Sequence, residues 1–241
     1  MLILPKQELF CKLTKITLRI LYKQKGMLKP LLVLVVVFMA TTSFAQKNNK
    51  TTKKENKKMS VKATLDTATF GTGCFWCTEA VFQQLEGVES VTSGYSGGTV
   101  PNPTYEEVCS KTTGHAECLN IVYDSSKISF DELLEVFWQV HNPTTLNRQG
   151  ADAGPQYRSV VFYHNEEQKA KVEKYKAELD KSGAWDNPIV TTLEKFDIFY
   201  PAEPYHQNYY NNHPGQAYCQ IVIRPKLEKF EKVFKSKLKK H

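Results

Sequence analysis

Hydrophobic and polar positions divide the chain of 241 residues into three unlike stretches. An unbroken apolar run from Leu31 to Ala40 sits among basic and polar residues. Residues 46–62 (QKNNKTTKKENKKMSVK) are almost without apolar side chains, cannot bury enough surface to fold, and read as a flexible tether. Patterned sequence begins at Ala63. Ala68-Thr69-Phe70 predicts a short strand leading into Gly71-Thr72-Gly73, and Glu79 to Leu85 the body of a helix. Val88 to Gly94 is a candidate strand, followed by a Gly- and Pro-rich loop from Tyr95 to Thr104. Cys118 to Tyr123 (CLNIVY) predicts a strand. Apolar residues at 130, 133, 134, 137 and 138 have helical spacing and predict a helix over Phe130 to Val140. His141 to Gln156 shows no pattern, and connections of that length are often functional. A strand at Ser159 to Tyr163, a charged helix at Glu166 to Lys181, a strand within 189–196 and a basic terminal helix at 225–240 complete the map. Strands and helices without regular alternation imply an α+β domain over 63–241, long enough for one full core.

Charge sharpens this division. Residues 1–62 hold 14 Lys/Arg and 2 Asp/Glu, a balance of +12, whereas 63–241 hold 18 and 23, a balance of −5. The net +7 therefore belongs to the N-terminal segment and says nothing of a basic face on the domain, which removes the main argument for nucleic-acid binding. Lys29, the apolar run and the small residues Ser43 and Ala45 fit an export signal covering 1–45 and cleaved after Ala45. The run is short for a bilayer span, so the membrane is met only through this signal. Met27 is an alternative start that gives a signal of ordinary length, and an uncleaved anchor is the alternative to cleavage. A periplasmic or secreted protein is expected.

Chemistry enters through the cysteines. Cys11 precedes the apolar run and would be removed with the signal, leaving Cys74, Cys77, Cys109, Cys118 and Cys219, an odd number that cannot all be bridged within one chain. A domain of this size needs no disulfide staples, so reactive thiols are the better reading. Cys74 follows a Gly-Thr-Gly turn and opens a helix, where unpaired N–H groups and the helix dipole are expected to lower its pKa from about 8.5. Cys74 and Cys77 form C-x-x-C, which would also suit a thiol–disulfide oxidoreductase of thioredoxin-like fold. Cys74, Cys77, His115 and Cys118 could be arranged as zinc ligands, although paired C-x-x-C units at finger spacing are absent.

Several ordered blocks narrow these alternatives. Gly73-Cys74-Phe75-Trp76-Cys77 resembles the nucleophile motif of the A-type peptide-methionine sulfoxide reductases. Gly94-Tyr95-Ser96-Gly97-Gly98, Pro101-Asn102-Pro103-Thr104-Tyr105, Thr113-Gly114-His115-Ala116-Glu117, the run from Arg148 to Ser159, and Pro201 to Tyr209 are similar to further blocks of that family, in the same order. The likeness covers roughly 66–220. It implies a ferredoxin-like core, no metal and no bound cofactor, and a role in protein repair under oxidative stress. The implied substrate is the S epimer of methionine sulfoxide, free or in peptides.

The resemblance also assigns roles. Cys74 attacks the sulfoxide sulfur, Glu117 supplies the proton to its oxygen, and the phenols of Tyr105 and Tyr157 hydrogen-bond that oxygen. Asp152 helps orient the network, and Phe75 and Trp76 hold the S-methyl group. His206 either supports the site from behind or is a structural histidine. The attack leaves Cys74 as a sulfenic acid that condenses with a second thiol, after which a thioredoxin-like donor reduces the disulfide. Cys219 in Ala217-Tyr218-Cys219 is the first expectation for that thiol and Cys77 the alternative, with Cys109 and Cys118 behind them. A monomer is expected. Three departures from the family pattern stand out: Cys77 where many members carry Gly, Ala151 where Asn is common, and Gln220-Ile221-Val222-Ile223, which reads as a strand in place of a glycine-rich tail.

Overall fold

A computed structural model describes residues 64–240. The expected signal (1–45), the tether (46–62), Met27 and Cys11 lie outside the described residues. In chain order the elements are β1 (Leu65–Thr72), α1 (Phe75–Phe82), β2 (Val88–Ser96), α2 (Tyr105–Cys109), β3 (Ala116–Asp124) and α3 (Phe130–Val140). They continue with β4 (Arg148–Gln149), β5 (Asp152–Ala153), β6 (Ser159–Tyr163), α4 (Glu166–Ser182), β7 (Thr192–Lys195), β8 (Phe199–Pro201), α5 (Tyr209–Asn212) and α6 (Arg224–Val233). Six strands form one sheet in the order β7-β6-β1-β3-β2-β8, and β4-β5 is a separate small hairpin. Neighbouring strands of the large sheet run antiparallel, apart from the parallel pair β6-β7. Strands and helices thus mix within a single domain.

Alternation along β3 decides which face meets the core. Leu119, Ile121 and Tyr123 point into the main cluster under α1 and α3, while Ala116 and Cys118 join Val160 and Phe162 in a smaller cluster on the opposite face. Glu117 therefore shares the α1 face. Phe70 of β1 anchors the main cluster, its ring centroid 5.8 Å from Phe82, 5.9 Å from Phe130 and 5.1 Å from Phe137. Each such fully buried aromatic contributes about 1.5–3 kcal/mol. Helix α3 starts where its sequence says it should: Ser129 and Glu132 form a reciprocal capping box, and Phe130, Leu133, Leu134, Phe137 and Trp138 are buried. In α4 the buried stripe is Gln168, Val172, Tyr175 and Leu179, and Gly183 ends the helix at φ 63°.

Some expectations need correction. The predicted loop Tyr95 to Thr104 gives its first two residues to β2, and the unpredicted α2 follows, started by a capping box between Thr104 and Glu107. The loop His141 to Gln156 has structure of its own, the β4-β5 hairpin and a 3-10 turn at Pro155–Tyr157. Gln220 to Ile223 is not a strand. It belongs to a π turn, Cys219–Ile223, that runs directly into α6. Cys219 and Ile223, four apart, face inward while Ile221 is 73% exposed, which is helical rather than alternating burial. The terminal helix stops at Val233, and Leu238 then bridges back to Leu85.

Candidate active site

Strand β1 delivers the nucleophile. It ends at Thr72, Gly73 turns the chain at φ +97°, and Cys74 occupies the N-cap position of α1 with φ −54° and ψ 122°. A side chain at Gly73 would bring its Cβ to 2.6 Å from Cβ of Gln149, so glycine serves both the backbone angle and the close approach of the long loop. The Cys74 thiol is not acidified as the helix start suggested. Its pKa lies well above the ordinary thiol value, through burial first, then the hydrogen bond and charge of Cys77, then the charge of Glu117. The first N–H of the helix is also already engaged, because Phe75 N–H donates to Glu117 Oε2 at 3.0 Å.

Glu117 is 1% exposed. Burial pushes its pKa up to about 8 against the pull of the Phe75 N–H, with the charges of Asp152 and Cys77 adding to the rise. It is therefore a carboxylic acid with a proton to give at neutral pH. Tyr105 and Tyr157 have raised pKa values, from burial and then from the charge of Glu117, so both keep their hydroxyl protons. These groups line one cavity of about 190 Å³, together with Cys74, Phe75, Trp76, Asp152 and Tyr218. A thiol, a neutral acid, two phenols and two aromatic faces suit a small polar group carried on an apolar stem.

The segment after β8 braces this cavity from behind. His206 is buried, and its ring packs against Phe75, Trp76 and Tyr105, with centroids 5.1, 5.5 and 4.4 Å away. Trp76 donates its indole N–H to His206 Nδ1 at 3.1 Å and stacks on Tyr209 at 3.8 Å. His206 is thus a supporting residue. Three buried or half-buried groups missed from the sequence complete the brace. Glu203 accepts Tyr95 O–H at 3.0 Å and Tyr105 N–H at 2.8 Å. Glu79 on α1 accepts the N–H groups of Asn208 and Tyr209 at 2.9 and 3.3 Å, and Gln207 pairs with both backbone groups of Ser93. Glu203 and Gln207 had no distinguishing signal beyond their place in the late block, and Glu79 none beyond its place in the predicted helix. Tyr218, which donates to Asp152 Oδ2 at 2.9 Å, was signalled only by its position beside Cys219.

The second thiols separate by environment. Cys77 lies within reach of three groups: the Cys74 thiol, Tyr218 Oη at 3.8 Å and Lys226 Nζ at 3.7 Å. Its pKa falls to about 7, through the hydrogen bond with Cys74 first, then the Lys226 charge and Tyr218, against the opposing effect of burial. Cys219 is fully buried in the π turn, and burial and the charge of Cys77 raise its pKa. Cys118 is buried on the other face of the sheet, and Cys109 on α2 hydrogen-bonds with Tyr105. The zinc set does not assemble. His115 accepts Gly98 N–H at 3.1 Å and bonds the Val100 carbonyl at 2.7 Å, and Cys118 points away from Cys74. Among the described residues no group of three or more His, Cys, Asp or Glu could hold a metal ion.

Comparison with known proteins agrees with this geometry. The family model described as peptide methionine sulfoxide reductase matches residues 66–238. The peptide methionine sulfoxide reductase MsrA of Saccharolobus solfataricus is 54% identical over 177 residues, which are 73% of this chain and 99% of that protein. Its namesake from Polynucleobacter asymbioticus is 54% identical over 173 residues, 72% and 91% of the two chains. Among solved structures, Mxr1 from Saccharomyces cerevisiae in reduced form is similar with a TM-score of 0.59 at 34% identity, covering 64% of this chain and 89% of that one. Methionine sulfoxide reductase A of Corynebacterium diphtheriae gives 0.56 at 34%, covering 62% and 76%.

Proposed function

The chain belongs to the peptide methionine sulfoxide reductase family and reduces methionine sulfoxide to methionine, and we propose that it does so with Cys74 as nucleophile, Glu117 as acid and Cys77 as the resolving thiol. The observation that carries this reading is the single cavity that brings Cys74 together with a protonated Glu117 and the phenols of Tyr105 and Tyr157. The Cys74 sulfur attacks the sulfoxide sulfur as Glu117 gives its proton to the oxygen, which the two phenols also hydrogen-bond. A sulfur–sulfur bond forms as the protonated oxygen leaves as water; a water molecule then attacks the Cys74 sulfur, the sulfur–sulfur bond breaks, methionine leaves, and Cys74 remains as a sulfenic acid. Phe75 and Trp76 face the S-methyl group, and Asp152 holds Tyr218 in place. The S epimer is the substrate in this reading.

Cys77 then displaces hydroxide from the sulfenic sulfur, water leaves, and a Cys74–Cys77 disulfide remains. This assignment reverses the order expected from sequence. Support comes from the contact of Cys77 with Cys74 and from its low pKa, against the full burial and raised pKa of Cys219. A dithiol donor of thioredoxin type returns both thiols. The sheet order β6-β1-β3-β2, with α1 and α3 packed on one face, supports a ferredoxin-like core. The apolar run and the Ser43/Ala45 pair support export, cleavage after Ala45, and action outside the cytoplasm.

The test is reduction of each epimer of a methionine sulfoxide peptide with dithiothreitol, beside Cys74→Ser. Methionine from the S epimer alone, lost in the variant, is expected; reduction that survives Cys74→Ser would overturn the assignment. Disulfide mapping after one turnover without reductant is expected to find Cys74–Cys77.

A further inference from the structure

Helix α6 brings a cation to the proposed resolving thiol. Lys226, half-buried on its first turn, places Nζ 3.7 Å from Cys77 Sγ. A cavity of about 100 Å³ lies beside the pair, lined by Cys77 and Lys226 with Thr78, Gln139 and Phe230 among others, so the ammonium is not sealed in the core. Cys74 does not line this cavity, and Cys77 does not line the substrate cavity. Cys77 thus stands between the reacting sulfur on one side and Lys226 on the other.

We propose that Lys226 is a positioning residue for the second half-reaction, holding Cys77 as a thiolate aimed at the Cys74 sulfenic acid. The proposal rests on the assignment of Cys77 as the resolving thiol. Other ionisable groups also face Cys77. Cys74 and Glu117 come from the substrate side, Asp152 from β5, Tyr218 and Cys219 from the segment before α6, and Lys229 from the next turn of α6. In the resting protein the hydrogen bond with Cys74 is the largest influence lowering the Cys77 pKa, to about 7. That thiol no longer exists once Cys74 is a sulfenic acid. Lys226 and the Tyr218 hydroxyl still favour the charged form, while burial first and Asp152 after it oppose it. The step balances as written: the Cys77 thiolate takes the Cys74 sulfur, hydroxide leaves with the S–O pair, and a proton from Glu117 or solvent makes water.

Lys226→Met keeps the aliphatic stem and removes the charge; Lys226→Arg keeps the charge. One equivalent of sulfoxide is mixed with full-length protein, and free thiols are quenched with an alkylating agent over time, from roughly pH 6 to pH 9. Loss of Lys226 moves Cys77 toward the free-thiol value near about 8.5, so disulfide closure at neutral pH is expected to slow roughly tenfold. The slowing is expected to fade toward pH 9 and to be rescued by Lys226→Arg, with the methionine burst the same as in wild type. The same pH profile for Lys226→Met and wild type would overturn the proposal. So would an unchanged ultraviolet titration of the Cys77 thiolate when Lys226→Met is added to Cys74→Ser, a reading that needs no turnover. A Cys74–Cys219 disulfide in the wild type would instead overturn the choice of Cys77 itself.

Discussion

Replacing Glu117 by Gln tests the acid without disturbing its anchor, because a Gln carbonyl can still accept the Phe75 N–H that now donates at 3.0 Å. What is lost is the transferable proton. The working form of the site needs that proton on Glu117 and a charge on Cys74. Glu117 titrates near about 8 and Cys74 well above an ordinary thiol, so the acid deprotonates first as pH rises. Below pH 8 the working fraction climbs about tenfold per unit, as thiolate accumulates beside an acid that stays protonated. Above pH 8 each further unit gains about tenfold in thiolate and loses about tenfold in acid, and the rate levels off. Between pH 7 and pH 9 the protonated fraction of Glu117 falls from about 0.9 to about 0.1. Rapid-quench measurement of methionine formed in one turnover reads this directly. Glu117→Gln is expected to cost about a hundredfold or more at pH 7. Its rate is expected to go on climbing past pH 8, so the gap to wild type narrows about tenfold per unit there. A constant ratio from pH 7 to pH 9, or a levelling near pH 8 that survives in the variant, would refute the role of Glu117 as proton donor.

Three further outcomes follow from the geometry. Cys219→Ser is expected to leave turnover with dithiothreitol and the mapped disulfide unchanged, yet to lower stability by about 1–3 kcal/mol in a urea titration, since it buries a hydroxyl; loss of the disulfide would restore Cys219 as the resolving thiol. Tyr218→Phe removes the 2.9 Å bond to Asp152 and its contact with Cys77, so slower disulfide closure and about 1–3 kcal/mol of lost stability are expected. An unaltered closure rate would show that Tyr218 only lines the cavity. Gly73→Ala forces a side chain onto Gln149 at a left-handed backbone angle, and a loss of at least about 1 kcal/mol with a reduced methionine burst is expected; a variant with normal burst and melting would show that the turn tolerates a Cβ.

The parts of the fold legible from sequence were those whose burial is periodic over a full helix or strand. Phe130–Val140 and Ser159–Tyr163 have the predicted bounds, because their apolar spacing and their flanking caps or turns agree. Short elements held by neighbours were not legible. Helix α2 has five residues and depends on the Thr104–Glu107 box, a signal that was present but lay in a Gly- and Pro-rich stretch. Gln220 to Ile223 was misread because β-branched residues favour strands in general, while here α1 offers a helical neighbour to bury Cys219 and Ile223. Site identities came from ordered blocks, and Cys74, Phe75, Trp76, Tyr105, Glu117, Asp152 and Tyr157 do meet in one cavity. The acidity of the two thiols was not legible. The acidity expected at Cys74 resides on Cys77, because burial and then Cys77 raise the Cys74 thiol, whereas the hydrogen bond from Cys74 and then Lys226, which approaches only in three dimensions, lower that of Cys77.

The stack of Trp76 on Tyr209 makes the protein its own optical reporter. The indole lies flat against that phenol at 3.8 Å, donates to His206, and meets Tyr218 edge-on at 5.8 Å, one residue from Cys77 and two from Cys74. The other two tryptophans, Trp138 and Trp185, belong to α3 and to the segment after α4. Excited indoles are quenched by sulfur and by stacked rings at contact distance, so each change of sulfur oxidation state beside Trp76 alters the emission of one fluorophore out of three. Sulfenic acid formation and disulfide closure can therefore be timed by stopped-flow fluorescence on unlabelled protein, and Trp76→Phe should silence the signal while Trp138 and Trp185 continue to emit.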